Sequence, residues 1–182
     1  MTPRSVAPAL RAMLARLRRA TRGGLWRVSV ADRSMAPAIL PGDWLLVDPT
    51  VTRWPRRGAA VVFREPGSEV LAIKRVVARP GDWLRFAGGW LRMGPDEAWL
   101  LGDATDDDLR AAGSGGSIDS RRYGPVSEER LVARAWLRYA PLRRIGRLPA
   151  PPVDLHLRSA ASPSPFAPPE ITPGEGAAPP RP

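Results

Sequence analysis

The chain has 182 residues, enough for one domain with a core, together with a net charge of +10, no cysteine and one histidine. These counts exclude disulfides, thiolate metal sites and a cysteine nucleophile; with His156 standing among prolines, they also exclude a Ser-His-Asp triad and a histidine-bound zinc. Proton transfer near neutral pH falls to Asp, Glu, Tyr or the single lysine, Lys74, because every other basic side chain is arginine.

Residues 1–24 place Leu10, Met13, Leu14 and Leu17 at the i, i+3, i+4, i+7 spacing of a short amphipathic helix. Residues 1–30 hold seven arginines and no acid, so this basic segment suits an anionic membrane surface as well as it suits packing on a protein. Its arginines break up any secretory h-region, and no stretch of the chain reaches the 18 or so apolar residues of a membrane span. From Trp26 to Tyr139 the segments WRVSV, DWLLVD, AAVVF, EVLAIKRVVA, DWLRF, GWLRM and EAWLLGD follow one another between Pro-Gly, Gly-Asp and Gly-Gly turns. That rhythm predicts a mostly β domain, a coiled sheet or barrel-like fold, over residues 25–148. The run Asp106-Asp107-Asp108 reads as a solvated acidic loop rather than a metal site, and EERLVARA (128–135) as one helical turn or, preferred, a final strand. Residues 149–182 hold 11 of the 22 prolines and predict a disordered tail.

Taken as a strand, residues 70–78 put Val70, Ala72, Lys74, Val76 and Ala78 on one face and Leu71, Ile73, Arg75 and Val77 on the other. Lys74 is then the one charge on an apolar face. Burial disfavours the ammonium form and turns a lysine into a usable base near neutral pH, a role closed to arginine. A snorkelling lysine at a strand end is the plain alternative. What favours the base is a candidate nucleophile, Ser34, in SMAPAILPGDWLLV (34–47).

Those residues carry a resemblance. The stretch SMAPAILPGDWLLV resembles the nucleophile box of type I signal peptidases, the Ser/Lys endopeptidases of family S26. IKRVVARPGD (73–82) resembles their general-base box, and LLGD (100–103) followed by SIDSRRYGPV (117–126) resembles their third. RAWLRYAPLRRIGRL (134–148) is similar to the closing segment, so the likeness covers residues 28–148, with the only lysine on the base position.

The resemblance implies a serine endopeptidase that cleaves leader peptides after small residues, with Ser34 as nucleophile and Lys74 as general base. It also implies an oxyanion hole from the Ser34 N–H and a donor of residue 32, a Ser117 hydroxyl that aims Lys74, and a Met35 that lines the substrate pocket. Asp103 with Arg75 and Asp119 with Arg121 would be structural ion pairs. The implied partner is a precursor polypeptide with a leader, and no cofactor or metal is needed.

Three features depart from the family pattern. Asp32 stands two residues before the nucleophile, where a small residue is usual, and a carboxylate turned inward there would repel an oxyanion. Ala104 follows Gly102-Asp103, where the family has asparagine, and the insert TDDDLRAAGSGG then delays Ser117. The N-terminus lacks the family's usual span. A maturation peptidase for one dedicated precursor, as in the relatives that mature nickel superoxide dismutase, is the alternative enzyme. A non-catalytic basic β-domain binding nucleic acid is the alternative outside enzymes. The scattered arginines, and tryptophans set beside apolar residues, speak against it.

Overall fold

The computed structural model describes residues 26–68 and 70–149, with the backbone of the two residues 157–158. The amphipathic helix expected in residues 1–24, with the membrane contact expected of it, and nearly all of the proline-rich tail, His156 included, lie outside the described residues.

Seven alternating segments become seven strands: β1 (Trp26–Ser29), β2 (Trp44–Asp48), β3 (Ala60–Arg64), β4 (Leu71–Ala78), β5 (Trp83–Phe86), β6 (Gly89–Arg92) and β7 (Glu97–Leu101). Two short helices follow, α1 (Asp106–Ala111) and α2 (Ser120–Tyr123), then β8 (Val126–Ser127), the ten-residue β9 (Leu131–Ala140) and β10 (Gly146–Arg147). The fold is mostly β, and every strand pair is antiparallel. The main sheet runs β1-β2-β9-β3-β4-β7-β8, with β10 beside β9, and it is not closed into a barrel.

Two segments differ in detail from their sequence reading. EERLVARA is one 3-10 turn, Glu128–Arg130, followed by the start of β9. Within the segment read as disordered, Leu157–Arg158 form a two-residue strand, β11, on the free edge of β5, where unpaired backbone groups invite a strand. With β6 they make a second, three-stranded sheet.

Alternation sorts the core. On β3, Ala60 and Val62 join one apolar cluster with Met35, Ile39 and Leu45, while Val61 and Phe63 join another with Trp54, Val76 and Leu100. Burying each such Val, Leu or Phe stabilises the fold by about 1.5–3 kcal/mol. Along β4 the alternation holds to Val76 and then breaks. A register shift between Val76 and Ala78 against β7 turns both Val77 and Ala78 toward a third cluster with Trp99.

Both Pro-Gly-Asp sequences fold alike. At Leu40–Asp43 and Arg79–Asp82 the glycine takes φ near +80°, which a side chain disfavours and glycine does not. In each turn the aspartate N–H donates to the carbonyl three residues back, and its Oδ2 accepts from that same residue's N–H at 2.9 or 2.8 Å. Both carboxylates end up buried and hold arginines: Asp43 takes Arg138 and Arg144, and Asp82 takes Arg57.

Candidate active site

Ser34 sits in the loop between β1 and β2, and the loop is closed at its base. Val30 N–H donates to Asp43 O at 3.0 Å and Gly42 N–H to Val30 O at 2.9 Å. Met35 and Ile39 anchor the loop in the core, at 1% and 0% exposure. The Ser34 carbonyl accepts from Ala104 N at 3.1 Å, so the segment after β7 pins the serine backbone from the other side.

Lys74 comes from the middle of β4, opposite Val61 of β3, and is 2% exposed. Its Nζ lies 2.6 Å from Ser34 Oγ. Burial pushes the Lys74 pKa below the ordinary lysine value, partly opposed by the carboxylates of Asp32, Asp119 and Glu65. A buried amine with a lowered pKa, in hydrogen-bond reach of a serine hydroxyl, has the geometry a general base requires.

Around this pair lies an open cleft of about 420 Å³, lined by Val28, Ser34, Met35, Ile73 and Lys74 among others. Val70, Leu71 and Ile118 stand exposed on its lining, and Asp32 and Glu65 supply its carboxylates. The insert contributes a wall that its sequence did not announce. The acids of Asp106-Asp107-Asp108 are the first turn of α1, not a loop, and Thr105 caps it by accepting from Asp108 N at 3.1 Å. Leu109 of α1 is buried and, with Ser114 and Gly116, narrows the cleft. Among the described residues no group of His, Asp or Glu is placed to hold a metal.

Both expected ion pairs form. Arg75 is buried at 1% exposure, and its Nε donates to Asp103 Oδ1 at 2.8 Å while Nη2 meets Oδ2. Its Nη1 donates to Gly58 O at 2.8 Å, so the guanidinium ties β4 to two loops. Asp119 caps α2, accepts from Arg121 Nε at 3.0 Å and Nη2 at 2.8 Å, and accepts from Gly102 N at 3.2 Å. Burial pushes the Asp119 carboxyl up, but the Arg121 and backbone bonds outweigh it and leave the pKa below the usual carboxylate value.

Ser117 departs from its expected role. It is buried, but its Oγ has no hydrogen-bond partner, so the bond to Lys74 is not formed. Its N–H is drawn to Asp106 Oδ1 at 3.0 Å by the insert, and its Oγ lies over Gly102 instead. Asp32 is the larger surprise. Its carboxylate points at the serine, and Oδ1 accepts from both Ser34 N and Ser34 Oγ, each at 3.0 Å. Sequence reasoning flagged the residue; the short backbone span between positions 32 and 34 is what brings the carboxylate round.

Gly102 has no room for a side chain. A Cβ there would stand 2.6 Å from the Ser34 carbonyl oxygen and 2.8 Å from Ser117 Oγ. Gly102→Ala is expected to displace the Ser34 peptide and lower kcat by about 10²-fold, the scale of a 1 Å misplacement. Peptide cleavage kinetics beside a thermal melt check it: a folded Gly102→Ala with wild-type kcat would rule the clash out.

Comparison with known proteins agrees with this architecture. The family model described as signal peptidase, peptidase S26, matches residues 12–97, which include Ser34 and Lys74. A signal peptidase I of Leptolyngbya laminosa is 27% identical over 147 residues, 68% of this chain and 72% of that protein. A probable signal peptidase I-2 of a Synechocystis species is 29% identical over 142 residues, 65% of each chain. These matches support a peptidase, a hydrolase of peptide bonds. More narrowly, the chain is similar to the S26 peptidases of the type I signal peptidase family.

Proposed function

We propose that this signal peptidase relative is a serine endopeptidase that removes leader peptides after small residues, with Ser34 as nucleophile and neutral Lys74 as general base. The observation that supports it most directly is the 2.6 Å approach of Lys74 Nζ to Ser34 Oγ inside a buried site. Lys74 Nζ takes the hydroxyl proton as Oγ bonds to the carbonyl carbon of the scissile peptide. The carbonyl electrons move to oxygen, giving a tetrahedral oxyanion beside the Ser34 N–H. The C–N bond then breaks, and the Lys74 ammonium gives its proton to the departing amine. In the second half Lys74 takes a proton from water, the hydroxide attacks the Ser34 ester, and the leader leaves as a carboxylic acid while Oγ regains its proton. Met35 and the apolar cleft would receive the small leader side chains. Arg75, Asp103, Asp119 and Arg121 hold the frame and touch no reacting atom. The substrate is a precursor polypeptide.

Purified protein incubated with a peptide spanning an Ala-x-Ala leader junction tests this by mass spectrometry. Cleavage after alanine is expected from the wild type and lost in Ser34→Ala. Equal products from both would mean that another residue, or another protein, does the cutting.

A further inference from the structure

Ser34 has two hydrogens that acyl transfer needs, one on its backbone nitrogen and one on Oγ. Both meet the same acceptor, Asp32 Oδ1, at 3.0 Å each. Lys74 Nζ stands on Oγ as well, at 2.6 Å. A hydroxyl has a single hydrogen. While that hydrogen goes to Asp32, Oγ can only accept from Lys74, which is the reverse of the transfer that activates a nucleophile. The N–H is meanwhile occupied by a full negative charge, where an oxyanion would have to form. From this geometry we infer that Asp32 is a positioning residue that latches the resting site: its carboxylate holds both hydrogens of Ser34, and cleavage waits on its departure. This rests on the assignment of Ser34 and Lys74 proposed above.

The latch is built to open. Ser34 is buried, but Asp32 is exposed on the cleft lining, so its carboxylate can turn to water without disturbing the core. A substrate carbonyl arriving at Oγ competes for the same N–H.

Charge reinforces the hydrogen bonds. Lys74 is faced by Asp32 from its own loop, by Glu65 from the end of β3, and by Asp119 and Arg121 from α2. Asp119 is neutralised by its bonds to Arg121, whereas Asp32 touches the hydroxyl that Lys74 touches. Of these carboxylates Asp32 does most to hold the proton on Lys74. Removing its charge lowers the Lys74 pKa further, and a reaction that needs the neutral amine then begins at lower pH.

The test measures peptide cleavage by wild type, Asp32→Ser and Asp32→Asn across pH, each with and without Ser34→Ala, beside thermal melts. Asp32→Ser is expected to raise kcat about 10-fold with KM nearly unchanged, and to shift the acid limb of the pH profile downward. Asp32→Asn, which keeps the acceptor but not the charge, is expected to shift the limb with a smaller gain in kcat. A purely structural Asp32 would lower stability and leave the limb in place, and that result overturns the latch. A Ser34-dependent cleavage that slows or stays level in folded Asp32→Ser also overturns it, with the dyad intact. Absence of Ser34-dependent cleavage in every variant overturns both readings.

Discussion

Lys74→Arg is expected to lower kcat by about 10³- to 10⁴-fold in the folded protein, because the guanidinium cannot give up its proton. The arginine would still meet Asp32 and Glu65, so lost attraction cannot account for such a loss. Lys74→Met separates the two costs of the lysine. It should be as inactive as Lys74→Arg, yet it should melt about 3–6 °C higher near neutral pH, the scale of about 1 kcal/mol in a domain of this size. The sign follows from linkage. The folded-state pKa of Lys74 lies below its unfolded value. Above the unfolded value neither state binds the proton, and burial carries no ionisation penalty. As pH falls below it, the unfolded chain gains a proton that the folded chain refuses, and stability drops until the depressed folded pKa is passed. The advantage of Lys74→Met should therefore shrink as pH rises toward the ordinary lysine value. Melts from pH 6 to 10 read this directly, and a flat difference across that range would contradict a buried, neutral amine.

The largest effect on stability is expected from Asp103→Ala. It strands the Arg75 guanidinium at 1% exposure with only the Gly58 carbonyl left, and an uncompensated buried charge costs about 3–5 kcal/mol. Set against a total of about 5–15 kcal/mol, that loss brings the domain close to its threshold. The double variant Arg75→Met/Asp103→Leu should recover most of it, since removing both charges also removes their desolvation penalty. Urea unfolding midpoints compare the three proteins. A single variant as stable as the wild type would mean that water reaches the pair.

The strands were legible because their apolar residues alternate and Gly or Pro punctuates them. Lys74 was legible because it is the one lysine among arginines and shares a strand face with Val76. The insert was misread, although Thr105 and Asp108 carry a capping pattern, because three consecutive acids resemble a solvated loop and the buried side of so short a helix is a single residue, Leu109. Ser117 was read from its place in a motif, and that place does not include the insert that draws its backbone toward Asp106. The buried Pro-Gly-Asp carboxylates were hidden for another reason. The dipeptide announces a turn, but the arginines that Asp43 gathers lie 95 and 101 residues further along the chain. Two of the chain's arginines serve inside as counterions: Arg75 and Arg138 are buried outright.

The position of β9 has a consequence for the timing of synthesis. This strand lies between β2, which follows the Ser34 loop, and β3, which carries β4 and Lys74 on its other edge. A ribosome-bound chain that has emerged only through Tyr123 already contains both Ser34 and Lys74, yet the strand that joins their two halves is still missing. Such non-local pairings also form slowly. On the proposed function, Ser34 and Lys74 are thus expected to come together only once Leu131–Ala140 fills the gap between β2 and β3.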